Sequence, residues 1–302
     1  MTTRRLVNVA ASVFDRLKQR IRLSGEDFNV ILLRYAGERL LYRLAQSSHS
    51  DSFTLKGATL FAVWEDDPHR STRDIDLLGF GVDSDERLHA VFANVCALPV
   101  AEDGMVFDPA RVVVGDIREE QAYGGKRVLV HCRLGNARLR VQVDVGFGDV
   151  LAQPCGKATL PTLLDFPAPR LLVYPVEAVI AEKLHALAQH GVLTSRMKDI
   201  YDIVALAERL DFDGVELTAA IRATFESRGR QAGEVPLPVT PAFAGDAGAI
   251  VRWSAFLRRN RLGSLDLRTA VERARAFLLE PLAALRDGEL FAKRWSGGGP
   301  WR

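Results

Sequence analysis

Two aspartates stand one residue apart in the run Arg73-Asp-Ile-Asp-Leu77. On a strand, side chains at i and i+2 share a face about 6.5–7 Å apart at the backbone. Asp74 and Asp76 therefore point the same way, and carboxylates so close repel unless a cation lies between them. Magnesium suits that position, because it takes oxygen ligands shared between a couple of carboxylates and substrate phosphates; manganese is an acceptable substitute. A third carboxylate, Asp144, lies on an alternating run whose Val141, Val143 and Val145 take the opposite face. If that run is a sheet neighbour, the three acids can hold two metals about 3.5–4 Å apart, an arrangement that clamps the attacking and leaving oxygens of phosphoryl or nucleotidyl transfer. Taken alone, an Asp-x-Asp is more often a pair of solvated strand acids.

The run Leu55-Lys-Gly-Ala-Thr59 precedes the acids, with Gly57 seventeen positions before Asp74. Gly57 allows backbone to approach a phosphate closely, and the Thr59 hydroxyl with nearby amides at a helix start supplies donors. Arg73 is placed to brace the loop or to contact a nucleotide. Phosphorylation of Thr59 would set negative charge against an incoming triphosphate and inactivate such a site.

A second set lies in Tyr174-Pro-Val-Glu-Ala-Val-Ile-Ala-Glu-Lys-Leu-His-Ala186 and Ser195-Arg-Met-Lys-Asp-Ile-Tyr-Asp202. Val176, Ile180, Leu184 and Leu187 form an apolar helical stripe, and Lys183 falls inside it. A lysine there must snorkel, pair, or face a cleft. In the next helix Asp199 sits on the buried side with Arg196 one turn before, a natural ion pair. Asp202, at the flank of that side, is placed to orient Lys183 or to accept a proton from an attacking hydroxyl. His185 reads as a helix-face residue.

The elements that must carry these residues follow from periodicity. Residues 1–47 read as helix, with Leu32, Leu33, Ala36, Leu40, Leu41 and Leu44 at helical spacing. Phe53–Lys56 is a short strand ending at Gly57, Thr59–Trp64 a short helix, Glu65–Thr72 a loop, and Asp74–Phe80 an apolar strand stopped by Gly81. A helix is expected over 84–98 and several strands over 104–150. Arg127–Arg133 and Arg138–Val145 alternate around Leu134-Gly-Asn-Ala137, which predicts a hairpin. Pro154, Pro161, Pro167, Pro169 and Pro175 mark an extended, linker-like boundary. Beyond Pro175 the chain is chiefly helical, interrupted over 228–248, and the Gly297-Gly-Gly-Pro300 tail is expected to fray.

Composition limits the classes. Nearly half of the 302 residues are hydrophobic, enough for one large core or two modest ones. Apolar runs break well short of the about 18 residues a membrane span needs, and the charged N-terminus lacks a cleavage-type run. Cys96, Cys132 and Cys155 stand far apart without a CxxC pair, which argues for a reducing cytoplasm and against a zinc site; none has a base nearby in sequence. The formal charge of +2 announces no nucleic acid, and cations are mostly arginine. Arginine suits phosphate, although a GC-rich genome gives the same bias. Arg252, Arg258, Arg259, Arg261 and Arg268 read either as a phosphate-tracking surface or as a solvated helix face.

The glycine turn, Asp-x-Asp strand and later acid resemble a polymerase-beta-type nucleotidyltransferase. With the helical lysine and aspartates, the chain resembles the AbiEii/AbiGii toxin family, which includes the MenT toxins. The likeness runs from Arg34-Tyr-Ala-Gly-Glu-Arg-Leu-Leu-Tyr-Arg-Leu44 through Phe53–Thr59, Arg70–Leu78, Glu182–His185 and Arg196–Asp202 to Trp253-Ser-Ala-Phe-Leu257. The family's first motif is usually Gly-Gly-Ser or Gly-Gly-Thr; here Ala58 replaces the second glycine and demands a negative φ. The resemblance implies an α/β (α+β) fold, with a mixed-sheet core over 51–165, an N-terminal helical segment over 1–50 and a C-terminal helical domain over 166–302. It assigns Asp74 and Asp76 to the metal, and Lys183 and Asp202 to the family's lysine and final aspartate. It further implies transfer of a nucleotide from an NTP with pyrophosphate released, a tRNA 3′ end as acceptor, and a neighbouring AbiEi-type antitoxin gene, often without a stable complex.

Three rival classes share part of this pattern. A small-molecule nucleotidyltransferase shares the metal motifs and differs in its acceptor groove. An Asp-x-Asp glycosyltransferase needs neither the Gly57 turn nor Lys183, and an aspartyl-phosphate phosphatase needs an apolar approach that Arg70–Arg73 does not supply. A non-catalytic binding module would carry the acids for structure alone.

Overall fold

The computed structural model describes residues 8–24, 27–65, 70, 72–117, 124–191 and 196–302. Most of the expected 65–72 loop, the first seven residues and Ser195 lie outside these. The chain divides into two compact units, one of residues 1–148 with 155–174, the other of 149–154 with 175–302.

The helical N-terminus is two helices rather than one, α1 (Val9–Ser24) and α2 (Phe28–Gln46). Asp27 separates them: its backbone is extended, and its carboxylate accepts from the Asn29 and Val30 amides, so α2 starts afresh. Within α2 the apolar stripe is buried almost as read, and charged groups are buried beside it. Arg43 forks onto both oxygens of Asp103 at 2.6 and 3.1 Å. Glu38 accepts the Leu163 amide at 2.6 Å, and burial pushes its carboxyl up to about 7.

Among the described residues the first unit holds a seven-stranded sheet in the order β3-β4-β5-β2-β1-β7-β6. The strands are β1 (Phe53–Lys56), β2 (Ile75–Gly79), β3 (Met105–Asp116), β4 (Gly125–Leu134), β5 (Ala137–Phe147), β6 (Gly156–Thr159) and β7 (Arg170–Val173). The β2/β5 and β1/β7 pairs are parallel and the rest antiparallel, so the sheet is mixed. The β4–β5 hairpin forms as expected: Leu134 faces Ala137 across Gly135-Asn136, with Gly135 at φ 56°. Gly57 begins a 3₁₀ turn (Gly57–Leu60) that runs into α3 (Phe61–Trp64), and α4 (Asp85–Ala97) is capped by Ser84.

The proline-spaced segment differs from expectation. It carries β6 and β7, so the sheet continues past residue 165, the bound expected for the core. Pro161, Pro167 and Pro169 all fall between the two strands, where no ladder donor is missed.

The second unit contains α5 (Val176–His190), α6 (Met197–Arg209), β8 (Phe212–Asp213), α7 (Gly214–Ser227), α8 (Pro241–Ala244), α9 (Ala247–Asn260), α10 (Leu267–Asp287) and β9 (Arg294–Trp295). The glycine-rich tail does not fray. Trp301 is buried, its indole donates to the Phe277 carbonyl at 2.8 Å, and its ring packs on Phe277, Phe291 and Trp295. Burying so large an aromatic outweighs the chain entropy that the glycines bring. No described helix is long and apolar enough to cross a membrane.

Candidate functional site

Alternation places the acids. Ile75 and Leu77 are buried, with Ile75 against α2, where Gly37 leaves room for it. Asp76 therefore emerges on the opposite face of β2. Asp74 is not on the strand; it occupies the bend just before it and is exposed, as is Arg73. The strand is thus Ile75–Gly79 rather than Asp74–Phe80, and the bend sets the relation of the two aspartates.

The glycine turn meets the acids directly. Gly57 has φ 70°, and a Cβ built there would lie 2.0 Å from Asp76 Oδ2. Only glycine permits both the backbone conformation and this approach of the carboxylate. Thr59 donates from its hydroxyl to the Asp74 carbonyl at 3.5 Å, and Thr72 does so at 3.4 Å. Ala58 is buried and keeps a negative φ, so the departure from a double glycine leaves the turn intact.

Across the sheet the registers align a row of four charges. Lys56 on β1 faces Asp76 on β2, Asp76 faces Asp144 on β5, and Asp144 faces Arg127 on β4. Facing residues share a face with side chains within contact range. Arg127 grips Asp144 with a fork, Nε to Oδ1 and Nη2 to Oδ2, both at 2.8 Å, and Gln142 Nε2 adds a contact to Oδ2 at 3.2 Å. Lys56 lies over the Tyr174 ring, 5.5 Å from its centre. Neither Lys56 nor Arg127 stands out in the sequence as a site residue. The hairpin turn carried the signal for Arg127, because counting back from Leu134 and Ala137 sets it opposite Asp144.

The residues present suit a divalent cation. Asp74 and Asp76 supply hard oxygen donors, and the Gly57 cradle, which a side chain would fill, leaves the Asp76 carboxylate against amide-bearing backbone. Asp144 is committed to Arg127, and among the described residues no three His, Cys, Asp or Glu side chains gather as a metal site.

In the second unit Lys183 pairs. Only 9% exposed, its ammonium lies 2.5 Å from Asp202 Oδ2 and 3.3 Å from Asp199 Oδ1. Arg196 reaches Asp199 at 3.7 Å from three residues earlier, as expected. Asp202 has 0% exposure, so the flank position read for it is fully buried. His185 is also buried rather than on an open helix face. It packs edge-on to Phe225 and shares Nδ1 with Arg228, which also holds Asp149 and Glu182. Arg258, Arg259, Arg261 and Arg268 are exposed around the end of α9 and the start of α10.

The chain is similar to two Helicobacter pylori proteins of known structure. One is a candidate nucleotidyltransferase, at 13% identity and TM-score 0.46, covering 83% of this chain and 93% of that one. The other is JHP933, at 12% identity and TM-score 0.44, covering 83% and 88%. No curated protein matches the chain. The sequence profile described as nucleotidyl transferase AbiEii toxin, type IV toxin–antitoxin system, matches residues 39–278, a span that includes the glycine turn, both aspartates of the bend and strand, Asp144, and the Lys183–Asp202 cluster. With most of its length matched in this way, the chain belongs to the AbiEii family of nucleotidyltransferase toxins.

Proposed function

We propose that this enzyme transfers a nucleotide from an NTP to the 3′ end of tRNA, blocking aminoacylation and growth. The observation that carries the reading is the convergence of the glycine turn on the acids, Gly57 against Asp76 and Thr59 against Asp74. In the reaction the acceptor hydroxyl oxygen forms a bond to the α-phosphorus, the α–β bridging bond breaks, pyrophosphate leaves, and the hydroxyl proton passes to solvent. Magnesium, or manganese in its place, would when bound supply neutralisation of charge on the transferring α-phosphoryl group. Asp74 and Asp76 would hold the ion, with Asp144 next in the row.

Gly57 and Thr59 cradle phosphate oxygens with backbone and hydroxyl donors. Arg73, exposed beside the bend, contacts the nucleotide. Lys183 is assigned to the triphosphate. Of the two roles read for Asp202, we assign the orienting one: a carboxylate without exposed surface, 2.5 Å from the ammonium, holds Lys183 in place.

The resemblance to the family supports a tRNA acceptor, and the exposed arginines at 258, 259, 261 and 268 suit a polyanion. The partner is an AbiEi-type antitoxin from a neighbouring gene. Three cysteines outside any disulfide, two of them buried, suit a reducing cytoplasm.

Incubating the protein with each labelled NTP, magnesium, total RNA and a metabolite extract tests the reading. We expect label in the tRNA band, lost with Asp76→Ala and Lys183→Ala, and weaker tRNA affinity at higher salt. Label in a small metabolite instead would make this an antibiotic-type nucleotidyltransferase. No label in any fraction would leave a nucleotide-binding module.

A further inference from the structure

Asp144 stands beside Asp76, yet its carboxylate already has a cation. A carboxylate offers about four lone-pair positions. Arg127 occupies one on each oxygen at 2.8 Å, and Gln142 lies at 3.2 Å from Oδ2. A second divalent ion bridging Asp76 and Asp144 would have to displace the guanidinium or sit against its positive charge. The fork–fork geometry is the strong form of this contact, charge-assisted and bidentate. Arginine does not give up its proton to make way.

The charge count along the row agrees. Lys56, Asp76, Asp144 and Arg127 face one another in that order on four adjacent strands, two cations enclosing two anions. Arg127 balances Asp144, which relieves its repulsion of Asp76 without a second metal. Magnesium commonly takes only one or two protein carboxylates and keeps its waters. Asp74 and Asp76 meet that need by themselves.

We propose that Arg127 is a built-in substitute for a second metal ion. It holds Asp144 out of the ligand set, and the site accepts one divalent ion per chain. Arg127 is thus a positioning residue, and Asp144 is its anchor rather than a ligand. The inference rests on the metal reading of Asp74 and Asp76 given above.

The test counts ions rather than turnover. Manganese is titrated into the full chain, with and without a non-hydrolysable NTP analogue, and free manganese is read by electron paramagnetic resonance. The wild type is expected to bind one ion per chain in both conditions. Asp144→Asn should keep that count, and Arg127→Leu should raise it to two by freeing Asp144. Asp144→Asn added to Arg127→Leu should return it to one. Two ions on the wild type, or loss of the ion with Asp144→Asn, overturns the proposal and leaves the transferase reading standing. Unchanged binding in Asp76→Ala instead removes the metal site itself. If Arg127→Leu does not fold, Asp144→Asn decides the matter, since a true ligand and an anchor give opposite counts.

Discussion

The two charged clusters are each electrically balanced and are built in opposite ways. The row on the sheet keeps its charges half-buried, with Asp144 and Arg127 side chains 19% and 34% exposed, and Asp74 open in its bend. The Lys183 cluster is closed, with Asp202 at 0% and Asp199 at 4%. Where charges stay near water, each group keeps part of its hydration, and exchanging one partner for another costs little. Where they are buried, each depends on its partner, because an uncompensated buried ion carries a penalty of several kcal/mol. The first arrangement suits recognition of something that comes and goes, and the second suits holding one ammonium in a fixed place.

Substitutions separate the two designs. The largest effect is expected from Asp76→Ala, which should lower nucleotide transfer by about 10³-fold, several kcal/mol of transition-state stabilisation. Its melting temperature should move by no more than about 2 °C, as for other changes away from a core. A large loss of stability would show that the row is structural.

Next in size, Asp202→Ala should destabilise the fold by about 3 kcal/mol in a denaturant titration, the low end for breaking a buried pair. It removes the nearer of the two carboxylates around the Lys183 ammonium and leaves Asp199 at 3.3 Å. The pair of changes Lys183→Met and Asp202→Leu should recover most of that stability and no transfer activity. Equal stability of Asp202→Ala and wild type would mean that the lysine does not depend on its partner.

Glu38 shows what burial does to a carboxylate that lacks such a lysine. Its carboxyl is pushed up to about 7 chiefly by burial, against an ordinary 4.5, although Arg39 lies 3.1 Å away. A raised acid favours the folded state when protonated, so its contribution is complete below 4.5 and is lost as pH rises through about 7. Glu38→Gln imitates the protonated form and keeps an acceptor for Leu163. It should match the wild type near pH 4 and exceed it at pH 8 by on the order of 3 kcal/mol; equal melting temperatures at pH 8 would contradict this.

The smallest effect is Gly57→Ala, about 1–2 kcal/mol of strain for a side chain at positive φ. The added methyl would also press on Asp76, so activity should fall further than stability does. Intact transfer would show that the turn adapts.

Much of this was legible in particular residues. The turn at Gly57, the strand after Asp74 and the hairpin at Gly135-Asn136 are local patterns, and the hairpin's register alone pairs Arg127 with Asp144. The stripe containing Lys183 showed that its charge needed an answer, and Arg196 and Asp199 pair as read. The glycines of the tail are a local signal for fraying, whereas Trp301 finds Phe277 through the fold.

The sequence by itself determined which residue types stand where: a glycine before two acids, alternating strands, and a lysine among apolar neighbours. Each follows from backbone sterics and periodicities of a few residues. Only the tertiary structure decided that β5 lies parallel beside β2 and that Asp202 is sealed from water. Those outcomes depend on which distant elements pack together, and chain-local preferences do not specify strand neighbours or burial.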